Sequence, residues 1–355
     1  MLKIRINNIE LEAEEGETIH SVAYKAGITI PTLCHKDGVE HYTSCMVCMV
    51  RDNRTGNFVP SCTALAQDGQ DIDASGDEVL AIRKKAVELL LSEHRAECEA
   101  PCRIVCPAGY NIPLMNRLLA SGEYRKAIEL VISELDAPEI RCNTCQGYCE
   151  NACRRKKADK QISIRNIRIF ISRNLDFEGG PDHIVPLSEY QDLKKRFSSR
   201  IGKLEDSELQ EWLKECEGAD KRFTEIADFI SAGEEAKNCM HCDCRAAEDC
   251  RLRELAQMLS IKDKGGKVVN APAVKKINHQ NGLIFENAKC IKCGLCVRVC
   301  EDSNEVPSLC FINRGFISII SEPLTEEFVD IPGSVAEKCI EICPTGALGQ
   351  FNSIV

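Results

Sequence analysis

The chain has 355 residues, with 45 Lys and Arg against 55 Asp and Glu, so its formal net charge is -10. This length predicts two or three domains, or more if some are small. An acidic chain without a long basic run argues against nucleic acid as a partner. No stretch approaches the roughly 18 apolar residues needed to span a membrane, and the N-terminus lacks the apolar core of a signal peptide. The composition therefore predicts a cytoplasmic protein with no membrane partner.

Cysteine is the unusual component, with 23 residues. Structural disulfides are rare in a reducing cytosol, so grouped cysteines indicate ligands of iron–sulfur clusters or of zinc. The groups define five predicted segments: a β-rich [2Fe–2S] domain over 1–76, a helical two-cluster [4Fe–4S] domain over 77–178, a helical linker over 179–236, a four-cysteine motif over 237–262 and a ferredoxin-like [4Fe–4S] domain over 280–355.

Local patterns predict the elements in chain order. Residues 3–6 and 9–12 form a hairpin around Asn7-Asn8, and a helix over 18–26 ends at Gly27. The segment from Ser75 to Glu78 has the spacing of a capping box and opens a helix of about 18 residues. Further helices are predicted over 114–120, 124–135 and 251–259, the first two separated at Ser121-Gly122.

Cys34, Cys45, Cys48 and Cys62 are spaced as a [2Fe–2S] site, on a long loop with one distant cysteine. Zinc usually takes two short C-x2-C pairs, and only one is present here. The segments IPTLCHKDGVEHYTSCMVCMV and VPSCTALAQDG resemble the [2Fe–2S] domain of the large electron-input subunit of respiratory complex I, of NAD-linked formate dehydrogenases and of multi-subunit iron hydrogenases. The resemblance implies a β-grasp fold.

The second group combines His94 with seven cysteines, which is enough for two [4Fe–4S] clusters. The segments CEAPCRIVCPAGYNIP, CQGYCENACRR and QISIRNIRIF resemble the two-cluster domain of the glutamate synthase small subunit and of dihydropyrimidine dehydrogenase. The resemblance implies crossed ligation, with Cys98, Cys102 and Cys153 on one cluster and Cys106, Cys145 and Cys149 on the other. We add His94 to the first and Cys142 to the second as a hypothesis. The alternative for His94 is a solvated residue at a helix end.

The third group is compact and consists of Cys239, Cys242, Cys244 and Cys250. We expect it to hold a [4Fe–4S] cluster. The alternative is zinc, with His241 as a substitute ligand. Cys216 stands alone, which is typical of a buried small apolar residue.

The last group opens with a bacterial ferredoxin run, in which three cysteines join a distant fourth. The first cluster is therefore assigned to Cys290, Cys293, Cys296 and Cys343. A partner run has lost two ligand positions to Gly333 and Ala336, so Cys300, Cys310 and Cys339 form an extra, incompletely ligated cluster or remain free thiols. The segment CIKCGLCVRVCEDSNEVPSLCFINRGF resembles the ferredoxin insert of the iron hydrogenases and formate dehydrogenases.

Motifs for binding nucleotides or for hydrolysis are missing, including GxGxxG after a strand, GxxxxGK[ST], GxSxG and HExxH. The sequence therefore predicts a multidomain α+β subunit that is not itself catalytic, with one [2Fe–2S] and three to five [4Fe–4S] clusters and no flavin or NAD(P). It would relay single electrons between an NAD(P)H-linked flavoprotein and a hydrogenase, a formate dehydrogenase or a ferredoxin, in a complex that could bifurcate electrons. The alternatives are a stand-alone redox enzyme acting at the incomplete cluster and a multi-zinc structural protein.

Overall fold

A computed structural model describes residues 1–134, 138–175, 204–246, 249–261, 274–278, 281–303, 309–323 and 331–351. The chain divides into two compact units. Unit 1 comprises Met1–Arg95, Asp249–Pro272 and Glu286–Leu348, and unit 2 comprises Ala96–Glu248, Ala273–Phe285 and Gly349–Val355. Of the predicted linker, 179–203 lies outside the described residues, as does Leu135 at the end of a predicted helix.

Over the described residues, the helices are α1 (Ile19–Lys25), α2 (Asp77–Glu93), α3 (Pro101–Ile104), α4 (Ile112–Ala120), α5 (Tyr124–Glu134), α6 (Pro138–Thr144), α7 (Tyr148–Asn151), α8 (Ile164–Arg173), α9 (Asp206–Leu213), α10 (Phe229–Ala236), α11 (Arg251–Met258), α12 (Leu295–Ser303) and α13 (Gly333–Ile342). The strands are β1 (Leu2–Ile6), β2 (Ile9–Ala13), β3 (Met49–Asp52), β4 (Phe58–Pro60), β5 (Gln70–Asp73), β6 (Lys275–Asn278), β7 (Leu283–Glu286), β8 (Cys310–Ile312), β9 (Ile319–Ser321) and β10 (Leu348–Gln350). None of these helices is long and apolar enough to cross a bilayer.

Unit 1 contains a five-stranded sheet with the order β2-β1-β5-β3-β4. The pairing of β1 with β2 is antiparallel, and Asn7 and Asn8 between them have φ values of 49° and 67°. Positive φ at both central residues is what a type I′ turn requires, so the predicted hairpin is confirmed. Alternate residues of β1, including Ile4 and Ile6, are buried in the core of this unit, as the two-residue period of a strand dictates.

The helices next to this sheet differ in how they begin. Helix α1 has Thr18 as its N-cap, with the hydroxyl accepting from the Ser21 N–H at 3.1 Å. The capping box predicted at Ser75 is wrong, because the N-cap of α2 is Gly76, which has no side chain to accept a hydrogen bond. The carboxylate of Asp73 instead accepts from the Gly76 N–H at 2.7 Å.

The remainder of unit 1 contains α11, α12, α13 and a two-stranded sheet of β8 and β9. Helices α12 and α13 pack together, and the Sγ of Cys339 on α13 lies 3.6 Å from the Cys296 carbonyl on α12. Helix α11 begins beside the C-terminal cysteine, where the Leu252 N–H donates to the Pro344 carbonyl at 3.4 Å. These contacts bring the last cysteine groups of the sequence into the unit that holds the first.

Unit 2 is mainly helical, with a core formed by α4, α5, α8 and α10. Asn111 caps α4, and the predicted break between α4 and α5 is confirmed at Gly122, where φ is 81°. Helices α4 and α10 approach closely, since a Cβ at Gly233 would lie only 2.9 Å from the Leu119 carbonyl oxygen. Strands β10, β7 and β6 form a three-stranded sheet in that order. The mixed α and β character agrees with the predicted class, while the ferredoxin-like topology of the C-terminal part stays a prediction.

Candidate metal centres

The four cysteines of the first group are all buried in unit 1. Cys48 directly precedes β3 and Cys62 follows β4, and the antiparallel pairing of these strands brings the two Sγ atoms to 3.2 Å. Cys34 and Cys45 form a second hydrogen-bonded pair. The two pairs suit a [2Fe–2S] cluster, because four thiolates are shared between two irons.

The pairing also favours the thiolate, which is the form that binds metal. A hydrogen bond from Cys45 lowers the pKa of Cys34 to about 5 and raises the pKa of Cys45 itself. In the same way, Cys62 lowers the pKa of Cys48 to about 7. Each pair therefore has one sulfur that ionises readily.

Three histidines beside Cys34 were not singled out from the sequence. The Nδ1 atoms of His35 and His41 lie 3.3 Å apart, and the rings of His20 and His35 have centroids 5.0 Å apart. Burial lowers the pKa of His35, which favours its neutral form. The residues come from three points in the sequence, at positions 20, 35 and 41, so spacing alone did not group them.

A large cavity in unit 2, with a volume of about 400 Å³, is lined by Cys106, Cys142, Cys145 and Cys149. These are the four residues that the sequence assigned to the second [4Fe–4S] cluster. Arg168 also lines this cavity; its guanidinium lies 3.6 Å from the centre of the Tyr110 ring and 3.2 Å from Glu134. Burial raises the pKa of Cys142, and Arg168 opposes that effect.

A smaller cavity in unit 2 is lined by Cys102, Cys153, Cys239 and Cys242, together with Arg154. This grouping differs from the prediction, which placed Cys102 and Cys153 with His94 and Cys98. It takes two residues from that predicted set and two from the set at 239–250. The Cys98 carbonyl instead accepts a hydrogen bond from the Cys244 N–H at 3.1 Å.

The remaining members of these predicted sets, His94 and Cys250, belong to unit 1. His94 is the C-cap of α2 and is only 5% exposed. The alternative of a solvated histidine is therefore wrong, and its role as a ligand stays a prediction. Cys250 is the N-cap of α11, with its Sγ 4.0 Å from the Pro344 carbonyl oxygen.

The ferredoxin-like group lies in unit 1. Burial raises the pKa values of Cys290, Cys293 and Cys296, and the charges of neighbouring thiols in the set Cys290, Cys293, Cys296 and Cys343 raise them further. The Lys292 N–H donates to the Cys290 Sγ at 3.3 Å. Cys343 follows α13, which delivers it to the other three. The four predicted ligands are thus electrostatic neighbours, as a shared metal centre requires.

Of the three cysteines predicted to form an extra cluster, only two are in contact. The Sγ atoms of Cys300 and Cys339 lie 3.8 Å apart in the interior. This contact lowers the pKa of Cys300 to about 7 and raises that of Cys339. Cys310 lies on β8, and its pKa is raised by burial and by Glu322 rather than by either thiol. An extra cluster on all three residues stays a prediction.

The [2Fe–2S] loop and the ferredoxin-like group are neighbours within unit 1. The charge of Cys34 contributes to the raised pKa of Cys293, after burial and the other thiols of that group. Arg251 donates to the carbonyls of Thr32 and Leu33, both at 3.2 Å. Tyr42 contacts Gly294, where a Cβ would lie 2.4 Å from the ring. Contacts before and after Cys34 in the sequence therefore hold its loop against the ferredoxin-like group.

Within the described ranges, no group of three or more His, Cys, Asp or Glu side chains is arranged to hold a single metal ion. Grouped thiols, thiolate-favouring pairs and arginines beside them suit iron–sulfur clusters. Comparisons with known proteins identify a [2Fe–2S] domain and a [4Fe–4S] domain, so this is an iron–sulfur protein. Residues 1–76 match the 2Fe-2S iron-sulfur cluster binding domain family, and residues 84–179 match the family of dihydropyrimidine dehydrogenase domain II, 4Fe-4S cluster.

Among curated proteins, the chain is 33% identical over 176 residues to YrhE of Bacillus subtilis (strain 168), provisionally named a formate dehydrogenase, covering 46% of this chain and 17% of the relative. It is 28% identical over 122 residues to a component of the NADH-quinone oxidoreductase of Rhizobium meliloti (strain 1021), covering 34% and 14%. It is 28% identical over 169 residues to the gamma chain of the NAD-reducing hydrogenase HoxS of Cupriavidus necator, covering 45% and 69%.

A solved structure, an NAD+-reducing [NiFe]-hydrogenase in the H2-reduced state, contains a chain with a similar fold. The TM-score is 0.52 at 15% identity, over 98% of this chain and 87% of that one. The chain spans less than a fifth of the first two curated relatives. The likeness therefore leaves most of those two proteins unmatched.

Proposed function

We propose that this chain is the electron-relay subunit of an oxidoreductase complex. Iron–sulfur clusters held by its thiolates would accept and donate single electrons. The chain's own contribution is to hold the clusters close together and to set their potentials through ligands, burial and charge. We further propose that one partner is an NAD(P)H-linked flavoprotein and the other a hydrogenase, a formate dehydrogenase or a ferredoxin. Relatives named as a formate dehydrogenase and as part of an NAD-reducing hydrogenase, which are similar to nearly half of this chain, support the proposal.

One observation carries the proposal: within unit 1, the loop with Cys34 lies against the segment with Cys293. Electron transfer by tunnelling falls steeply with distance, so a relay needs neighbouring centres. Specific side-chain contacts hold the two segments together. Arg251 donates to two carbonyls of the loop. Arg298 lies over the Tyr42 ring at 4.1 Å and forms an ion pair with Glu40 at 3.3 Å. A structural protein with isolated zinc sites would not require this proximity.

Replacing Cys48 with alanine tests the relay. We expect the [2Fe–2S] signal to disappear and electron transfer from a flavoprotein donor to the ferredoxin-like cluster to slow strongly, because the first step of the path is removed. The measurement is freeze-quench EPR of the anaerobic chain, reduced by NADPH and an NADPH-linked flavoprotein reductase. The matched control is Cys216→Ala, at a buried cysteine outside all predicted sets. Unchanged transfer in the Cys48 variant would contradict the proposed relay through the [2Fe–2S] cluster.

Arg154 offers a test of how a nearby positive charge sets the reduction potential of a cluster. Its guanidinium pairs with Glu97 at 2.8 Å and lies beside the Cys242 thiol. A nearby cation favours the more negative, reduced state of a cluster, so Arg154→Gln should lower the midpoint potential of the centre bound by Cys242, on the order of 100 mV for a charge a few ångströms away. Redox titration by EPR measures this shift. Lys156→Gln removes the same charge from an exposed neighbour and should leave the potential nearly unchanged.

A further inference from the structure

We propose that Cys102, Cys153, Cys239 and Cys242 hold one [4Fe–4S] cluster, which joins the helical two-cluster domain to the four-cysteine motif downstream. This inference rests on the iron–sulfur function proposed above and deepens it by assigning the ligands. It differs from the ligand set implied by the family resemblance, which keeps Cys102 and Cys153 together with Cys98. The four thiols line one cavity of unit 2, and neither Cys98 nor Cys244 belongs to its lining.

Helix packing explains how residues so distant in sequence meet. Cys102 lies on the short helix α3, and Cys153 follows α7, which packs against α3. Cys239 comes shortly after α10, and the glycine at position 233 lets α10 approach α4 closely. The end of α10 is thereby delivered to the cavity that α3 and α7 border.

The segment from 238 to 243 is fixed at both ends. Arg155 donates to the Asn238 carbonyl at 3.1 Å, and the Asn238 amide donates to the Lys221 carbonyl at 2.8 Å. At the other end, Arg117 holds Asp243 through two bonds of 2.9 and 2.7 Å, and both side chains are at most 10% exposed. Two buried anchors therefore position Cys239 and Cys242 on either side of Met240 and His241.

The polar groups of the cavity suit a cluster. Asn116 is fully buried and lines the cavity, and in the described part of the chain neither Nδ2 nor Oδ1 has a hydrogen-bond partner. A buried amide without a partner costs free energy, and the sulfur atoms of a bound cluster would accept its N–H. Arg154 at the edge offsets part of the negative charge of a thiolate-ligated cluster.

The nature of the metal follows from two of its ligands. Cys102 and Cys153 lie within residues 84–179, which match a family described by its 4Fe-4S cluster. The other two ligands are also cysteines, and four thiolates are the usual ligand set of such a cluster. We therefore assign a [4Fe–4S] cluster rather than zinc.

A double-variant experiment on the full chain tests the assignment. Cys102→Ala and Cys239→Ala should each remove about four irons per chain, and the double variant should remove the same four, because both residues serve one cluster. As a control, combining Cys106→Ala with Cys239→Ala should remove about eight irons, since those residues belong to different cavities. Iron and zinc are counted after anaerobic purification.

Serine variants keep the test informative if alanine variants fail to fold. Serine oxygen can replace sulfur as a ligand, so Cys102→Ser and Cys239→Ser should shift the same EPR signal and leave the others unchanged. The assignment is overturned if iron losses of the Cys102 and Cys239 variants add, if the two serine variants shift different signals, or if the site contains zinc. A chain that contains no iron at all would instead overturn the proposed function.

Discussion

Replacing Cys106 with alanine is expected to remove about four irons per chain, which is one whole [4Fe–4S] cluster. Cys106, Cys142, Cys145 and Cys149 line a cavity of about 400 Å³, and loss of one thiolate leaves three ligands. The [2Fe–2S] signal should persist, because Cys34, Cys45, Cys48 and Cys62 belong to the other unit. Since the free energy of binding metal contributes to folding, the variant should also unfold more readily in unit 2.

The matched control for this variant is Cys216→Ala. Cys216 is buried in unit 2, with its Sγ 3.2 Å from the Asn238 carbonyl oxygen, and it lines neither of the two cavities described above. Its replacement should leave the iron content unchanged. Equal iron loss from both variants, or none from Cys106→Ala, would contradict the assignment of the large cavity to a cluster.

Replacing Glu215 with glutamine is expected to lower the free energy of unfolding by about 3–5 kcal/mol, as when one partner of a buried ion pair is removed. The Glu215 carboxylate is fully buried and pairs with both Arg245 and Lys275. Burial opposes its ionisation, but the two cations outweigh burial and lower the pKa of Glu215 to about 2. Glutamine carries no charge, so the substitution removes the carboxylate that both buried cations pair with.

The single tryptophan of the chain reports on this site. The Nζ of Lys275 lies 4.0 Å from the centre of the Trp212 ring, in a cation–π contact. Urea unfolding followed by Trp212 fluorescence should show a midpoint lower by at least about 1 M, given typical denaturant slopes. Glu211→Gln removes the charge from the partly exposed pair with Lys214 and keeps a side-chain oxygen to accept from the Lys275 N–H, so it should cost under about 1 kcal/mol. Equal effects of the two variants would show that the buried network contributes little.

Features set by local sequence could be predicted. The Asn7-Asn8 turn requires positive φ, which asparagine tolerates, and Gly122 ends a helix by the same logic. The capping box at Ser75 was predicted wrongly because the motif specifies residue types and spacing, whereas the register of the helix start was set by Asp73 accepting from the Gly76 N–H. Asp73 lies outside the four-residue motif, so the motif could not indicate it.

The candidate metal sites also divide into those set by local sequence and those set by contacts between distant segments. Spacing typical of a known cluster predicted that Cys290, Cys293 and Cys296 are neighbours, as their mutual effects on pKa agree, and their role as ligands stays a prediction. The grouping of Cys153 with Cys239 could not be predicted in this way, because it depends on the close approach of α10 to α4 at Gly233 and on the anchors Arg117 and Arg155. These contacts link segments more than 80 residues apart, and cysteine spacing contains no information about them.

The most direct test of the account is to purify the chain without oxygen and to count iron, sulfide and zinc while recording EPR spectra of the reduced protein. We expect at least about 14 irons per chain, from one [2Fe–2S] and three [4Fe–4S] clusters, with a matching amount of sulfide and several one-electron signals. A colourless protein that contains mainly zinc and has no EPR signal on reduction would contradict the electron relay.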